Sequence, residues 1–219
     1  MTVGEEVAVA DGLSVLVRPI EPDDKRRLAD AFERLSPETR YRRFFAPLER
    51  LSERDLRHLT EVDHRDHEAL VAVNPENGAI IAVARYVRSA DPAEAEVAVV
   101  VGDPWQHKGI ASALLERLVE RAREAGIGHF VALVMSENEE ALELFRRLAR
   151  GRSSLRSSAS GNLEMLIELP EPGHRLSDSR LGRVLSAVAR EAPRVNPWPV
   201  LRQAIGRRRP EGSDNRPVE

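Results

Sequence analysis

From Val101 to Ser112 the chain reads Val-Gly-Asp-Pro-Trp-Gln-His-Lys-Gly-Ile-Ala-Ser, a short loop leading from an apolar, β-branched stretch into an amphipathic one. Gly109 and Ala111 are small residues standing where the loop turns into the following helix, next to the basic Lys108. A helix entrance leaves its first backbone N–H groups without internal partners, and these converge with the positive end of the helix dipole on one spot. Such a spot receives phosphate oxygens, and Lys108 adds a formal charge to it. Glycine at position 109 keeps the approach open, because a Cβ would stand in front of the amides. The stretch matches neither G-x-x-x-x-G-K-[ST] nor G-x-G-x-x-G, which points to a phosphate-bearing ligand other than a nucleoside triphosphate or a dinucleotide. An ordinary β-to-α turn would also use a glycine here, so the flanking elements decide between the two readings.

Those elements are legible on both sides. Ala93 to Val101 is the most apolar strand candidate, and it ends at Gly102-Asp103-Pro104, where proline cannot continue a ladder. Gly109 to Ala125 places Leu114, Leu115, Leu118, Val119 and Ala122 on one stripe, with Glu116, Arg117, Glu120 and Arg121 opposite, which predicts a helix buried on one side. Phe130 to Met135 reads as a buried strand. Asn138 then caps a helix whose first turn holds Glu139 and Glu140 and whose end holds Arg146, Arg147 and Arg150. Leu163 to Leu169 is the last strand candidate. Upstream, Leu13 to Pro19 alternates like a strand, and Leu28, Phe32 and Leu35 share a helical face. Ser36-Pro37-Glu38 restarts a helix, and Ser52 caps another running through Leu56 and Leu59. Glu68 to Val73 and Ala79 to Arg88 form a hairpin about Asn74-Pro75-Glu76-Asn77-Gly78. The order βααα-βββ-α-β-α-β predicts an α/β layer sandwich.

The composition fits that picture. Of 219 residues, 33 are Lys or Arg and 36 Asp or Glu, a net charge of −3 that gives no bulk electrostatic reason to expect a nucleic-acid partner. There is no cysteine, which excludes a disulfide framework, a zinc ribbon and a thiol nucleophile. No apolar run approaches the roughly 20 residues that cross a bilayer, and Met1 to Asp11 lacks a secretion-signal pattern, so no membrane association and a cytoplasmic location are expected. Residues 13–170 make one domain. Residues 171–219 form a Pro- and Arg-rich tail with 10 basic and 6 acidic residues, expected to be partly helical over Leu176 to Ala192 or disordered.

With these elements in place, Gln106-His107-Lys108-Gly109-Ile110-Ala111 resembles the Q/R-x-x-G-x-G/A signature of the GNAT superfamily of acyl-CoA-dependent N-acyltransferases, and Asn138-Glu139-Glu140-Ala141-Leu142-Glu143-Leu144-Phe145 is similar to its N-x-x-A-x-x-L-Y pattern. Arg40-Tyr41-Arg42-Arg43-Phe44-Phe45, Leu51 to Leu56 and Ala95-Glu96-Val97-Ala98 look like the branch with bacterial protein-lysine acetyltransferases. The resemblance implies a GNAT-like mixed central sheet of about six to seven strands, flanked by helices on both faces and followed by the C-terminal tail. It implies acetyl-CoA as co-substrate, without a metal. Val99 and Val101 would offer backbone groups to the pantetheine arm, Gln106, His107, Lys108, Gly109, Ile110, Ala111 and Ser112 would surround the pyrophosphate, and Asn138 would bond the arm on the far side. Glu96 would be the general base, with Glu94 as the fallback. A lysine amine, with a reference pKa of about 10.4, must lose a proton before it can attack a thioester.

The implied activity is N-acetylation of a primary amine, a protein lysine first, with a small-molecule amine or a non-catalytic acyl-CoA-binding module as the alternatives. Phe145 departs from the pattern, since it replaces a tyrosine that protonates the leaving thiolate and has no proton to give; Ser136 is a substitute donor. Three further readings stay open at this stage. Glu96 could sit on a sheet edge or pair with Arg85, Phe44 and Phe45 could be core or the floor of an acceptor groove, and His64, Asp66 and His67 read as a solvated turn rather than metal ligands.

Overall fold

A computed structural model describes residues 4–157 and 162–170, apart from the side chains of Asp11, Arg156 and Ser157. The helix expected over Leu176 to Ala192, and the whole of segment 171–219, lie outside them. The strands are β1 (Glu5–Ala8), β2 (Ser14–Pro19), β3 (His67–Val73), β4 (Ile80–Arg88), β5 (Glu94–Val101), β6 (His129–Met135), β7 (Ser153–Ser157) and β8 (Asn162–Glu168). The helices are α1 (Lys25–Glu33), α2 (Pro37–Phe44), α3 (Glu53–Thr60), α4 (Ile110–Glu124) and α5 (Glu139–Ala149). All eight strands join one sheet in the order β1-β2-β3-β4-β5-β6-β8-β7, antiparallel throughout except for β5 beside β6. Six to seven strands are expected from the sequence, and the sheet has eight. The additions, β1 and β7, are polar strands at its two edges, where little surface is buried and no apolar alternation is needed.

Local chemistry fixes the connections. Ser36 accepts a hydrogen bond from the Thr39 amide (3.1 Å) to start α2, and Ser52 and Asp55 form a reciprocal capping box on α3. The β3–β4 hairpin closes through Asn74 N to Ala79 O (2.9 Å), with Gly78 at a φ of +70°. Buried Arg18 donates twice to buried Asp24, at 2.6 and 2.7 Å, and pins the turn before α1 to β2.

Helices cover both faces of the sheet. On one, Leu114, Leu115 and Leu118 of α4 are fully buried against Ala84, Tyr86, Ala95 and Phe130. Each such side chain contributes about 1.5–3 kcal/mol of apolar burial. On the other, Leu28 of α1 and Leu56 and Leu59 of α3 pack on Ala69, Val71, Ile80 and Val83. The β5–β6 pairing is in register from Glu94 with His129 to Val97 with Ala132 and then stops, although both strands continue. The sheet splays open at that point.

Candidate active site

The splay leads directly to the entrance of α4. Gly102 N–H donates to Ile81 O on β4 (2.8 Å), so by alternation the N–H and C=O groups of Val101 and Val99 face the gap. Val101 O in fact receives Gln106 Nε2 there (3.2 Å). Gly109 caps α4 with a φ of +79°, and the helical ladder begins only at Ala113 N to Gly109 O (3.0 Å). The amides of Ile110, Ala111 and Ser112 precede that first bond and end at the cleft. Ala10 N–H donates to Lys108 O (3.0 Å) and braces the loop from the β1–β2 connection.

Glycine at 109 has a second reason besides the open approach read from the sequence. A Cβ built there meets no protein atom within 4 Å, but the left-handed backbone disfavours other residues. His107 also takes a positive φ, +61°, and its ring lies 3.7 Å from Glu140 on α5, across the mouth of the cleft.

One cleft of about 1270 Å³ gathers most of the expected residues: Glu96, Val99, Val101, Gln106, His107, Gly109, Ile110, Ala111, Ser112 and Asn138 all line it. Lys108 and Glu94 are not among the lining residues. Asn138 Oδ1 accepts the Ala141 amide (3.1 Å) as the cap of α5, which turns the rest of its carboxamide toward the cleft. Buried Phe145 and half-buried Phe44 and Phe45 also form wall, Phe44 meeting Phe32 edge-on at 5.6 Å.

Glu96 occupies an interior strand, flanked by Val87 on β4 and Val131 on β6, and is half-buried. The edge reading is therefore corrected, and so is the pairing with Arg85, which donates to Leu59 O (2.9 Å) and meets His67 Nε2 (3.1 Å). The cation acting on Glu96 is Arg43 of α2. Burial raises the Glu96 carboxyl above its ordinary pKa and Glu164 adds to the rise, while Arg43 opposes it. A carboxylate tuned upward in a cleft is a better proton acceptor near neutral pH.

The sequence did not reveal what holds α2 in place. Asp103, in the loop after β5, accepts from Ser36 N (3.0 Å), Ser36 Oγ (2.7 Å) and Thr39 Oγ1 (2.8 Å), and Gln106 Nε2 approaches Thr39 Oγ1 (3.5 Å). The N-terminus of the helix that carries Arg43 is thus tied to the loop before α4. Ser36 and Asp103 were each legible as turn or cap residues, but nothing local reveals a contact 67 positions apart. Ser136, offered as a proton donor, is exposed, bonds Glu137 (3.2 Å), and does not line the cleft.

The 63–67 loop is more ordered than a solvated turn. Asp63 Oδ1 accepts the amides of Arg65, Asp66 and His67, and His64 Nδ1 meets buried Glu68 at 2.8 Å. Burial and Arg85 drive the His67 pKa down to about 3, so the ring is neutral. Among the described residues no three of His, Cys, Asp and Glu come together in a way that would hold a metal ion.

The family profile described as the acetyltransferase (GNAT) family matches residues 28–149. An acetyltransferase of Pseudomonas aeruginosa is 29% identical over 136 residues, 61% of this chain and 73% of that protein. Acetyltransferase Pat of Mycolicibacterium smegmatis is 36% identical over 143 residues, 65% of this chain; the chain spans only 43% of that relative's length. The crystal structure of the GNAT domain of S. lividans PAT superposes with a TM-score of 0.69 at 37% identity, covering 76% of this chain and 97% of that one. The profile match over more than half of the chain and the likeness to the S. lividans GNAT domain show that the chain belongs to the GNAT family of acetyl-CoA-dependent N-acetyltransferases.

Proposed function

We propose that the chain transfers an acetyl group from acetyl-CoA to the side-chain amine of a protein lysine by direct attack, with Glu96 as the general base. The observation that carries the reading is one continuous cleft holding both the amides of Ile110 to Ser112 and a carboxyl whose proton affinity burial has raised. Acetyl-CoA supplies an activated thioester. The residues fit it: the α4 amides and Gln106 suit a pyrophosphate, the Val99 and Val101 backbone suits an amide-bearing arm, and Asn138 stands on the opposite wall.

In this reading Glu96 takes the ammonium proton, directly or through one water, and frees the nitrogen lone pair for the acyl carbon. A backbone N–H at the end of β5 steadies the charge on the acyl oxygen. The carbon–sulfur bond then breaks and the thiolate takes a proton from water, since Phe145 has none to give. Orientation of the two substrates supplies much of the remaining acceleration.

Identity to Pat of M. smegmatis and to the S. lividans PAT domain supports a protein acceptor. The cleft volume, above the ~300–1,000 Å³ of ordinary small-molecule sites, is sufficient for both an arm and an acceptor side chain. The test is thiol release and mass spectrometry with acetyl-CoA over a panel of lysine-bearing proteins and small amines. Acetylated lysine Nζ is expected. Turnover confined to small amines would replace the acceptor class, and tight acetyl-CoA binding with no turnover on any acceptor would make the chain a binding module.

A further inference from the structure

A second cavity, of about 330 Å³, lies on the α1–α3 side of the sheet. Leu28 and Phe32 of α1, Leu59 of α3, and Val83 and Val100 of the sheet give it an apolar wall. Arg34, Arg43 and Arg85 share that lining, and no Asp or Glu among the described residues does. Arg85 is buried, and its hydrogen-bond partners are a carbonyl and a neutral histidine ring rather than an anion. Burial and the facing Arg43 draw its pKa down to about 9, which leaves a cation at neutral pH in surroundings that disfavour it. Arg34 donates to Ile80 O (3.3 Å) at the rim, and Arg43 lies over the Phe44 ring at 4.8 Å. Among the described residues the carboxylate acting on Arg43 is Glu96, which lines the other cleft and not this cavity.

Positive charge held against apolar wall costs free energy that an anion would recover, and the planar guanidinium fork suits a carboxylate. The volume is at the small end of the range for small-molecule sites, and apart from Arg34, held at the rim by Ile80 O, the remaining side chains of the wall are uncharged. Arg43, Phe44, Val100 and Trp105 border both this cavity and the cleft, forming a partition between them. We propose that the cavity binds a medium-chain monocarboxylate, its carboxylate between Arg43 and Arg85 and its chain along Leu28, Phe32 and Val83. The site adjoins the acetyl-transfer cleft and is separate from it, so the inference stands whatever the role of Glu96.

Isothermal titration of the full chain with octanoate, at neutral pH and with CoA saturating, is expected to reveal one site. Octanol, the uncharged analogue, should bind at least about tenfold more weakly. Arg43→Gln should weaken octanoate by about tenfold or more, and Ala31→Phe, which places a ring in the cavity, should abolish binding while acetyl-CoA affinity persists. A cooperative thermal melt of each variant checks the fold; if Arg43→Gln fails it, octanol and Ala31→Phe still decide. No octanoate binding, equal binding of octanol, indifference to both variants, or displacement of octanoate by CoA would each overturn the proposal.

Discussion

Glu96→Gln keeps the shape of the side chain and removes its ability to take a proton. A positioned general base is worth about 10²–10⁴ in rate. The Glu96 cleft is wide, and water in it can take the proton less efficiently, so the low end applies: about a hundredfold in kcat, or about 2.7 kcal/mol of barrier. Affinity for acetyl-CoA should change by less than about twofold, because the Glu96 side chain faces Arg43 while the β5 backbone groups of Val99 and Val101 face the gap.

The pH dependence carries a sign. Glu96 acts only when ionised, so kcat rises as pH passes upward through its pKa, which burial has moved above the ordinary glutamate value of about 4.3. That limb should vanish in the variant. A carboxyl whose folded pKa is raised contributes stability below its unfolded pKa and loses it as pH rises through the folded value. Ionised Glu96 therefore weakens the fold at neutral pH, and the Gln variant should melt no lower than the parent. Single-turnover and steady-state acetyl transfer between pH 5 and 9 read kcat, acetyl-CoA affinity and the acidic limb, and a thermal melt at neutral pH reads the stability. An unchanged kcat with an unchanged acidic limb would remove Glu96 from the mechanism.

Gly109→Val forces a β-branched residue into a φ of +79° and should raise the Kd for acetyl-CoA by at least about tenfold in calorimetry; retained affinity would place the pyrophosphate elsewhere. Asp103→Asn should weaken the anchoring of α2 and lower stability by about 1–3 kcal/mol in urea at pH 7, with wild-type stability contradicting it. Burial alone would raise the Asp103 carboxyl, but bonds from Ser36 and Thr39 outweigh it and hold it low, so this stabilisation is present above about pH 4, is lost as pH falls below that, and should be missing from the variant's acid unfolding curve. Asp24→Ala leaves Arg18 buried without its carboxylate and should cost about 3–5 kcal/mol in denaturant unfolding, whereas a loss under about 1 kcal/mol would mean that Arg18 finds another partner.

The parts legible in the sequence are those decided by local chemistry. The apolar run Ala93 to Val101, the stripe of α4 and the Asn138 cap each carry their own signal, and together they frame the cleft. Polar β1 and β7 gave none, because an edge strand needs no buried face. Asp103 binding Ser36 and Thr39, and Arg43 facing Glu96, are tertiary facts that no periodicity encodes. The positive φ of Gly109 adds a backbone reason for glycine that no side-chain pattern in the sequence encodes. The histidines of the 63–67 loop belong to a hydrogen-bonded network that runs from exposed Asp63 to buried Glu68 and Arg85, which the sequence presents only as scattered polar residues.

The most direct measurement is a crystal structure with acetyl-CoA bound. It should show the diphosphate within about 3 Å of the N–H groups of Ile110, Ala111 and Ser112, the arm between β5 and β6, and the thioester beside Glu96. A diphosphate bound elsewhere, with the α4 entrance free of lattice contacts, would contradict it.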